Sequence, residues 1–311
     1  WLVSGVAFVD PVNGTAGGVL GDGNQPFQTL NQALAVSNNV VALSGEYYGT
    51  TTIPTGTYSI FFWQGAVLMP TSKIRDGGNT VDLTINGLLD VGAFSYGFEF
   101  TGVGSVGNIE LKKFSPASRN ICHILGASCN IYMKCDTAEA NGNNGGGYPI
   151  TVREGSEMTF EANKIVFDYW FCTPRGVGNK FTCKCPDITI SAVGFAGGGF
   201  GKTLFNYQPA SNCFDNHISY DFLGGVVRNL SPTQTASFGI ADSTLIIKGG
   251  TLLNDTATFT FKNGTIESGA MYGWNTFYKV IGGTNILNNL IVKSNTFAFR
   301  TYLGNTASLG S

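Results

Sequence analysis

The segment CFDNHISYDFLGG, residues 213–225, carries the side chains best suited to acid–base chemistry. If the segment forms a strand, Asp215, His217 and Asp221 share one face, because successive side chains of a strand point to opposite sides. Two carboxyl groups beside a histidine could act as the acid and the nucleophile or base of a glycoside hydrolase. Repulsion between the two charges would raise the pKa of one carboxyl group. The exposed face of any strand in a soluble protein is also polar, so a purely structural interpretation stays open.

Three aromatic clusters offer surfaces on which sugar rings could stack, namely FFWQG at 61–65, DYWFC at 168–172 and MYGWN at 271–275. Neighbouring side chains of a strand alternate between its two sides, so at most half of each cluster can be exposed. Packing in a core is the competing interpretation. We expect Trp170 and Trp274 to be the glycan-binding residues if one tryptophan is exposed.

Seven cysteines are spread over the chain, and only two histidines accompany them. None of the spacings is the C-x-x-C pair of zinc sites and redox motifs, so we expect no metal and no other cofactor. We expect the thiols to be reduced and mostly buried as small apolar side chains. The cysteines are residues 122, 129, 135, 172, 183, 185 and 213. His123 lies among apolar residues in NICHILGA, which favours a core position over a catalytic role.

Composition narrows the range of partners. Only 12% of the residues are charged and the formal net charge is -2, which gives no basic field for nucleic acid or an anionic membrane surface. No run approaches the ~20 apolar residues that a membrane-spanning helix needs. We therefore expect neither a nucleic acid nor a membrane as a partner. The chain begins at Trp1 and not at a methionine, which favours a processed or excised part of a longer protein.

One short helix is predicted near the start of the chain. In GDGNQPFQTLNQALAVSNN, residues 21–39, Asn24 could cap a helix whose apolar face holds Phe27, Leu30 and Leu34. The following sequence, VVALSGEYYGTTTIPTGTYSIFFWQGAVLM, consists of short β-branched and aromatic runs separated by turn residues. The chain is therefore predicted to change from one helix to short strands.

The later sequence repeats a strand–turn–strand unit without a strict period. Four segments place a Gly-containing turn between two short β runs: LTINGLLDV at 83–91, IIKGGTLLND at 246–255, FKNGTIESG at 261–269 and VIGGTNILNN at 280–289. Such a unit cannot bury its own apolar face, so stacking of successive units must supply the core. The repetition predicts a solenoid.

The stretch FVDPVNGTAGGVLGDGNQPFQTLNQALAVSNNVVALSGEYYGTTTI, residues 8–53, resembles the opening of right-handed parallel β-helix proteins of the pectate-lyase-like superfamily. The resemblance implies one all-β domain over the whole chain. Residues 1–39 would form a strand, a loop and a helix that covers the open end of the coil, where unpaired backbone groups would otherwise promote aggregation. Residues 40–311 would form the coils, with Gly-rich loops at 141–149 and 195–202 leaving them.

The resemblance does not choose a function, because this opening occurs in polysaccharide lyases and hydrolases, in surface-carried repeat proteins and in bacteriophage tailspikes and fibres. Pectate lyases resemble one another in an acidic calcium cluster with a nearby Arg base. Polygalacturonases resemble one another in Asn-Thr-Asp, Asp-Asp, Gly-His-Gly and Arg-Ile-Lys motifs. None of these motifs stands in this sequence, which argues against these two enzyme families.

The leading hypothesis is a virion-associated β-helix of the tailspike or fibre kind. It would be made in the host cytoplasm, assemble as a homotrimer with other virion proteins and contact a host-surface polysaccharide. A polysaccharide lyase or glycoside hydrolase on the same fold is the first alternative, so enzymatic activity stays open. A bacterial surface adhesin or a structural spacer, extracellular or on the cell surface, is the second.

Overall fold

The computed structural model describes most of the chain in separate stretches. The described residues are 2–92, 97–118, 121–140, 149–167, 170–190, 203–205, 215–229, 244–248, 255–274, 282–300 and 306–309.

Among the described residues, strands make up nearly all of the regular structure, and one short helix, α1 (Leu30–Leu34), follows the first strand. In chain order the described strands are β1 (Val6–Val9), β2 (Asn39–Ala42), β3 (Gly45–Tyr47), β4 (Thr50–Thr52), β5 (Gly56–Phe62), β6 (Ala66–Leu68), β7 (Lys73–Arg75), β8 (Val81–Gly87), β9 (Asp90–Val91), β10 (Gly97–Phe100), β11 (Val106–Glu110), β12 (Lys113–Ser118), β13 (Cys122–Ile124), β14 (Asn130–Ala140), β15 (Ile150–Arg153), β16 (Glu157–Phe167), β17 (Trp170–Arg175), β18 (Lys180–Lys184), β19 (Asp187–Ile190), β20 (Thr203–Phe205), β21 (His217–Asn229), β22 (Thr244–Lys248), β23 (Asp255–Trp274), β24 (Gly282–Arg300) and β25 (Thr306–Leu309).

The described strands pair in parallel and form two sheets. The small sheet consists of β4, β7, β10, β13, β15, β17 and β20, and the other eighteen described strands form the large sheet. Along the chain, β5 and β6 of the large sheet precede β7 of the small sheet, and β8 and β9 of the large sheet then precede β10 of the small sheet. Each coil therefore crosses both sheets before the next coil stacks on it.

Each sheet buries a row of apolar side chains that lie opposite one another on successive coils. In the large sheet the row runs through Ile60, Ile85, Ile109, Met133, Phe160, Cys183, Tyr220 and Phe261, all fully buried. In the small sheet it runs through Ile74, Phe98, Cys122, Ile150 and Cys172. No coil can bury these side chains alone, so the coils depend on stacking for their core.

This arrangement is a parallel β-solenoid with very little helix, as expected for a right-handed parallel β-helix. The fold-class prediction is therefore confirmed. The Gly-rich segments predicted to leave the coil lie outside the described residues, apart from Pro149. The predicted division of the domain into a capping part, residues 1–39, and the coils, residues 40–311, stays a prediction.

The helix α1 packs against β1 and β2, the first strands of the coil. Phe27, Leu30 and Leu34 are buried, as predicted. The prediction that Asn24 caps the helix is wrong, because the N-cap is Thr29. Its hydroxyl accepts a hydrogen bond from the Gln32 backbone N–H, and the Gln32 side chain accepts one from the Thr29 N–H. This reciprocal capping box starts the helix later than expected, so α1 has five residues.

The six described cysteines are free and buried, as predicted for them. Cys213 lies outside the described residues. Burial raises the pKa of the Cys185 thiol to about 12 and raises the pKa of Cys172 and Cys183 well above the ordinary value. These thiols stay protonated and act as small apolar side chains at neutral pH.

Candidate functional site

The sequence segment with the best acid–base residues forms the start of β21. Ile218, Tyr220 and Phe222 point into the core, and His217 is exposed, as the predicted alternation requires. Asp215 does not continue this alternation. The strand begins at His217, and Asp215 has a φ of +54°, in the left-handed region. The prediction that Asp215 shares a strand face with His217 and Asp221 is therefore wrong.

Asp215 occupies a corner of the coil that recurs in the preceding coils. In the four coils before it, the residue two positions ahead of the one that aligns with His217 also has a positive φ. These corner residues are Gly104, Ser128, Gly155, Gly178 and Asp215, with φ values of 70°, 56°, 71°, 71° and 54°. Aspartate tolerates this region better than most residues with a side chain. The corner alone therefore accounts for a Gly, Ser or Asp at this position.

The next residue, Asn216, is fully buried and joins two coils. Its Oδ1 accepts a hydrogen bond from the Asn179 N–H at 2.9 Å, and its Nδ2 donates to the Gly176 carbonyl at 3.0 Å. Ser156 does the same two coils earlier, accepting from the Cys129 N–H and donating to the Gly126 carbonyl. Small polar side chains at this corner satisfy backbone groups that a coil would otherwise bury unpaired.

Asp221 belongs to a row of alternating charges on the outward face of the large sheet. We call this row the charge ladder; it consists of Glu110, Lys134, Glu161, Lys184, Asp221 and Lys262, each opposite the next in register. The carboxylate of Glu161 lies 2.6 Å from the Lys184 ammonium, and that of Asp221 lies 3.4 Å from Lys262. Opposite charges on neighbouring strands stabilise a sheet.

The neighbours of Asp221 fix its protonation state. Partial burial raises its pKa, but hydrogen bonds from the Asn263 amide, the Leu223 N–H and the Lys262 ammonium outweigh this effect. The pKa of Asp221 is therefore lowered. This is opposite to the raised pKa that the sequence suggested for one carboxyl of the pair. Asp221 is an ionised ladder residue at neutral pH, whereas a catalytic role for Asp215, His217 or Asp221 stays a prediction.

Trp170 opens β17 and Trp274 ends β23, and the structure describes both only as strand residues. Their predicted contact with a glycan stays a prediction. The third cluster, FFWQG, does expose aromatic rings: Phe61 is 43% exposed and Trp63 is 44% exposed, while Phe62 between them is buried. The Phe61 and Trp63 rings meet edge to face, with centroids 6.2 Å apart.

The Phe61–Trp63 pair lies in a larger apolar surface on the outward face of the first coils. Phe61 pairs in register with Val41, and backbone hydrogen bonds place Trp63 next to Leu43 and Leu88 on the neighbouring coils. We call these five residues the aromatic patch. Polar, uncharged side chains lie beside it in register: Ser59, Thr84 and Asn86. Aromatic rings beside hydroxyl and amide groups match a sugar, which has apolar C–H faces and hydroxyl edges.

The small sheet carries a second set of polar residues on its outward face. The row next to the buried Ile74–Cys172 row is Thr52, Arg75, Glu99, His123, Thr151 and Thr173. His123 is half-buried in this row, so the prediction that it is a core residue is wrong. Its apolar neighbours Cys122 and Ile124 point to the opposite side of the strand.

No helix among the described residues has the length and hydrophobicity that are needed to span a bilayer. Among the same residues, no three His, Cys, Asp or Glu side chains lie close enough together to hold a metal ion.

Comparisons of the chain with models of protein families, with curated proteins and with solved structures found no match. The fold therefore places the chain in a class of architecture, the parallel β-solenoids, and its relation to the pectate-lyase-like superfamily stays a resemblance.

Proposed function

We propose that this protein is a glycan-binding β-solenoid of the kind carried by bacteriophage tailspikes and fibres, and that its aromatic patch contacts a host-surface polysaccharide. The observation that carries the proposal is the exposed Phe61–Trp63 pair on the outward face of β5 and the residue after it. Exposing large apolar side chains to water is unfavourable, so a contiguous exposed patch marks a binding surface.

The arrangement of the patch suits a sugar better than a flat apolar partner. Because the two rings are inclined by 81°, a sugar ring that stacks on one meets the edge of the other as a side wall. Asn86 lies opposite Phe61 on the next coil and offers both a donor and an acceptor to hydroxyl groups. None of the five patch residues is charged, which favours recognition through stacking and hydroxyl hydrogen bonds.

The assembly in a virion belongs to the same proposal. The chain would form a homotrimer, join other virion proteins and be synthesised in the host cytoplasm. The free, buried thiols agree with folding in a reducing compartment, since oxidising compartments favour disulfides. The parallel coils give a rigid surface, and binding residues held on strands keep their geometry better than residues on loops.

The test is binding of the purified chain to a panel of bacterial surface polysaccharides, measured by calorimetry or on an array. Trp63→Ala and Phe61→Ala should each weaken binding about tenfold or more, which corresponds to about 1.4 kcal/mol per factor of ten. Tyr48→Ala is the matched control, because Tyr48 is a 68% exposed aromatic residue outside the patch. Binding that survives both patch variants unchanged would refute the proposed surface.

The same samples separate binding from cleavage. Release of reducing ends or unsaturated products from a bound polysaccharide would support the lyase or hydrolase alternative. If the chain binds no polysaccharide of a virion host but does bind to animal or plant surfaces, this would support the adhesin alternative. Light scattering of the purified chain checks the predicted trimer.

A further inference from the structure

The aromatic patch lies at one end of a row of uncharged polar side chains that follows the coil axis. Ser59, Thr84 and Asn108 occupy this row on β5, β8 and β11, each opposite the next in register. We call these three residues the polar row. All three lie on the outward face of the large sheet and are at least partly exposed. Each side chain offers a hydrogen-bond donor and an acceptor, which the hydroxyl groups of a sugar require.

Tyr132 continues the polar row on β14, where it lies opposite Asn108. Its side chain is half-buried, and its hydroxyl donates a hydrogen bond to the Glu161 carboxylate at 3.1 Å. This hydrogen bond holds the ring in one position. Both in-register neighbours of Tyr132, Asn108 and Thr159, are smaller than a tyrosine. The ring is therefore the largest apolar surface at this end of the polar row, on the same face as Phe61.

The spacing of these two aromatic surfaces suits an extended chain of sugars. Phe61 and Tyr132 are three strands apart and two residues apart along the strand direction. Their Cα atoms are therefore about 16 Å from each other. Each step between neighbouring strands is about 4.8 Å, which is close to the length of one sugar unit in an extended glycan. A glycan that follows the coil axis can thus reach both rings with about four consecutive units.

The charges beside the polar row disfavour an acidic glycan. From β5 to Tyr132, the charged side chains beside this row are Asp82, Glu110 and Lys134, and all three are exposed. Lys134 lies opposite Glu110 in the charge ladder, whereas the neighbours of Asp82 in register are Thr57 and Val106. An anionic sugar would meet two carboxylates and only one lysine. A neutral sugar can donate hydrogen bonds from its hydroxyl groups to both carboxylates.

We propose that the aromatic patch, the polar row and Tyr132 bind one extended, uncharged glycan that follows the coil axis, with about four sugar units in contact. This inference rests on the glycan contact proposed above and adds the direction, the length and the charge of the ligand. Phe61 and Tyr132 stack on two units of the glycan, and the polar row binds hydroxyl groups of the units between them. Tyr132 sets the minimum length, because a short fragment on the aromatic patch does not reach it.

The first experiment uses every bacterial polysaccharide of the panel whose binding Trp63→Ala weakens, cut by partial hydrolysis into fragments sorted by size. Calorimetry with the whole chain should show an affinity that rises with length up to about four units and then levels off. Tyr132→Ala should weaken binding of the longer fragments about tenfold, as expected for one lost stacking contact, and leave disaccharides unaffected. Thr182→Ala is the matched control, because Thr182 lies two strands beyond Tyr132 in the same register row.

A second pair of variants separates ring stacking from a loss of folding. Tyr132→Phe keeps the ring and loses the hydrogen bond to Glu161, so it should weaken binding by no more than about threefold. If Tyr132→Ala does not fold, as judged by circular dichroism, Asn108→Ala replaces it, because Asn108 is exposed. Asn108→Ala should weaken binding of the longer fragments a few-fold. Unchanged binding in a folded Tyr132→Ala or in Asn108→Ala contradicts the proposal.

The third experiment tests the predicted absence of charge on the glycan. Oxidation of the primary hydroxyl groups of the bound polysaccharide to carboxylates should weaken its binding about tenfold or more. Asp82→Asn and Glu110→Gln should each restore part of this loss, because each removes a carboxylate beside the glycan. Glu157→Gln is the control and should restore nothing, since Glu157 lies on β16 and pairs with Lys180. Equal or tighter binding of the oxidised form by the wild type overturns the assignment to an uncharged glycan.

The results distinguish a failure of this inference from a failure of the proposed function. Binding that Trp63→Ala weakens, but that neither fragment length nor Tyr132→Ala changes, leaves the aromatic patch as a glycan site and overturns the extended site. A chain that binds no polysaccharide of the panel overturns the proposed function, and this inference falls with it.

Discussion

Replacement of Asp215 by glycine decides whether this residue is a corner residue or a chemical group. In the structure its φ of +54° matches the values of the glycines at the same corner of three earlier coils. If the corner conformation is the reason for its position, Asp215→Gly should fold normally, because glycine adopts this region without a Cβ penalty. Asp215→Val should be much worse, because a β-branched residue is a clear outlier there.

The magnitudes follow from two opposing effects. Glycine relieves a left-handed strain of about 1–2 kcal/mol for an ordinary residue, and less for aspartate. It also adds about 0.5–1 kcal/mol of chain entropy to the unfolded state. The two effects nearly cancel, so the free energy of unfolding of Asp215→Gly should lie within about 1 kcal/mol of the wild type. Asp215→Val should lose about 1–3 kcal/mol, the usual cost of a residue held in a sparsely populated backbone region.

Urea denaturation followed by circular dichroism measures both values, with His217→Ala, at the first residue of β21, as the control. His217 is exposed, so its replacement should change stability by no more than about 0.5 kcal/mol. A Val variant as stable as the wild type would refute the corner argument, and so would a loss above about 2 kcal/mol in the Gly variant. If a polysaccharide is cleaved, a Gly variant that folds normally but no longer cleaves would instead identify the Asp215 carboxyl as a catalytic group.

Three further predictions test the cap, the charge ladder and the thiols. Leu30→Ala should cost about 2–5 kcal/mol in chemical denaturation, because Leu30 is 3% exposed under the first coil, and a loss below about 0.5 kcal/mol would show that α1 does not act as a cap. The pKa of Asp221 is lower in the folded chain than its ordinary value of 3.8, so its contribution to stability is complete above that pH and is lost as the pH falls through the folded value. Unfolding free energies measured between pH 6 and pH 2.5 should therefore fall less steeply in Asp221→Asn than in the wild type, and parallel curves would contradict this. A thiol reagent should label few of the six described cysteines in the native state, since all six are buried, and rapid labelling of most of them would contradict that burial.

The parts of the fold that sequence predicted are those that depend on local patterns. The buried face of α1 was visible as Phe27, Leu30 and Leu34, and the alternation in β21 was visible from His217 to Phe222. Both follow from the period of the regular structure, which tertiary contacts did not change. The start of the helix was not predicted correctly. Thr29 and Gln32 cap it through two reciprocal hydrogen bonds, whereas Asn24 and Pro26 suggested an earlier start.

The corner residues were missed because their role depends on coil-to-coil register. Asp215 looks like a strand residue in isolation, and only the pairing of Lys180 with His217 shows that it aligns with Gly178. A signal was present in the sequence: SVGNIE, CNIYMK, SEMTFE, NKFTCK and NHISYD each begin with a small polar residue or cysteine, followed by a polar–apolar alternation. Aligning these segments by their first residue finds the corner without a structure.

The choice of a binding site among the aromatic clusters shows a different limit of prediction from sequence. Period 2 correctly places Phe61 and Trp63 on one face of their strand and Phe62 on the other, so the sequence could predict a pair. It could not predict which face is outward, because both sides of a solenoid strand can carry aromatic residues. Phe181, Tyr220 and Phe261 fill the core with ring centroids 5.6 to 5.8 Å apart. Only the structure shows which side chains of a strand point into the core. That direction distinguishes an exposed pair of rings from a stack of rings in the core.

The stacking of coils restricts where charged side chains can lie, and this restriction helps to identify functional residues. Residues in register on successive coils are about 4.8 Å apart, so a row of like charges would repel along its whole length. The charge ladder obeys this restriction, with Asp221 between Lys184 and Lys262. The fold itself therefore explains the charge of Asp221, and the exposed aromatic patch is a better candidate for function than the ionisable residues of β21.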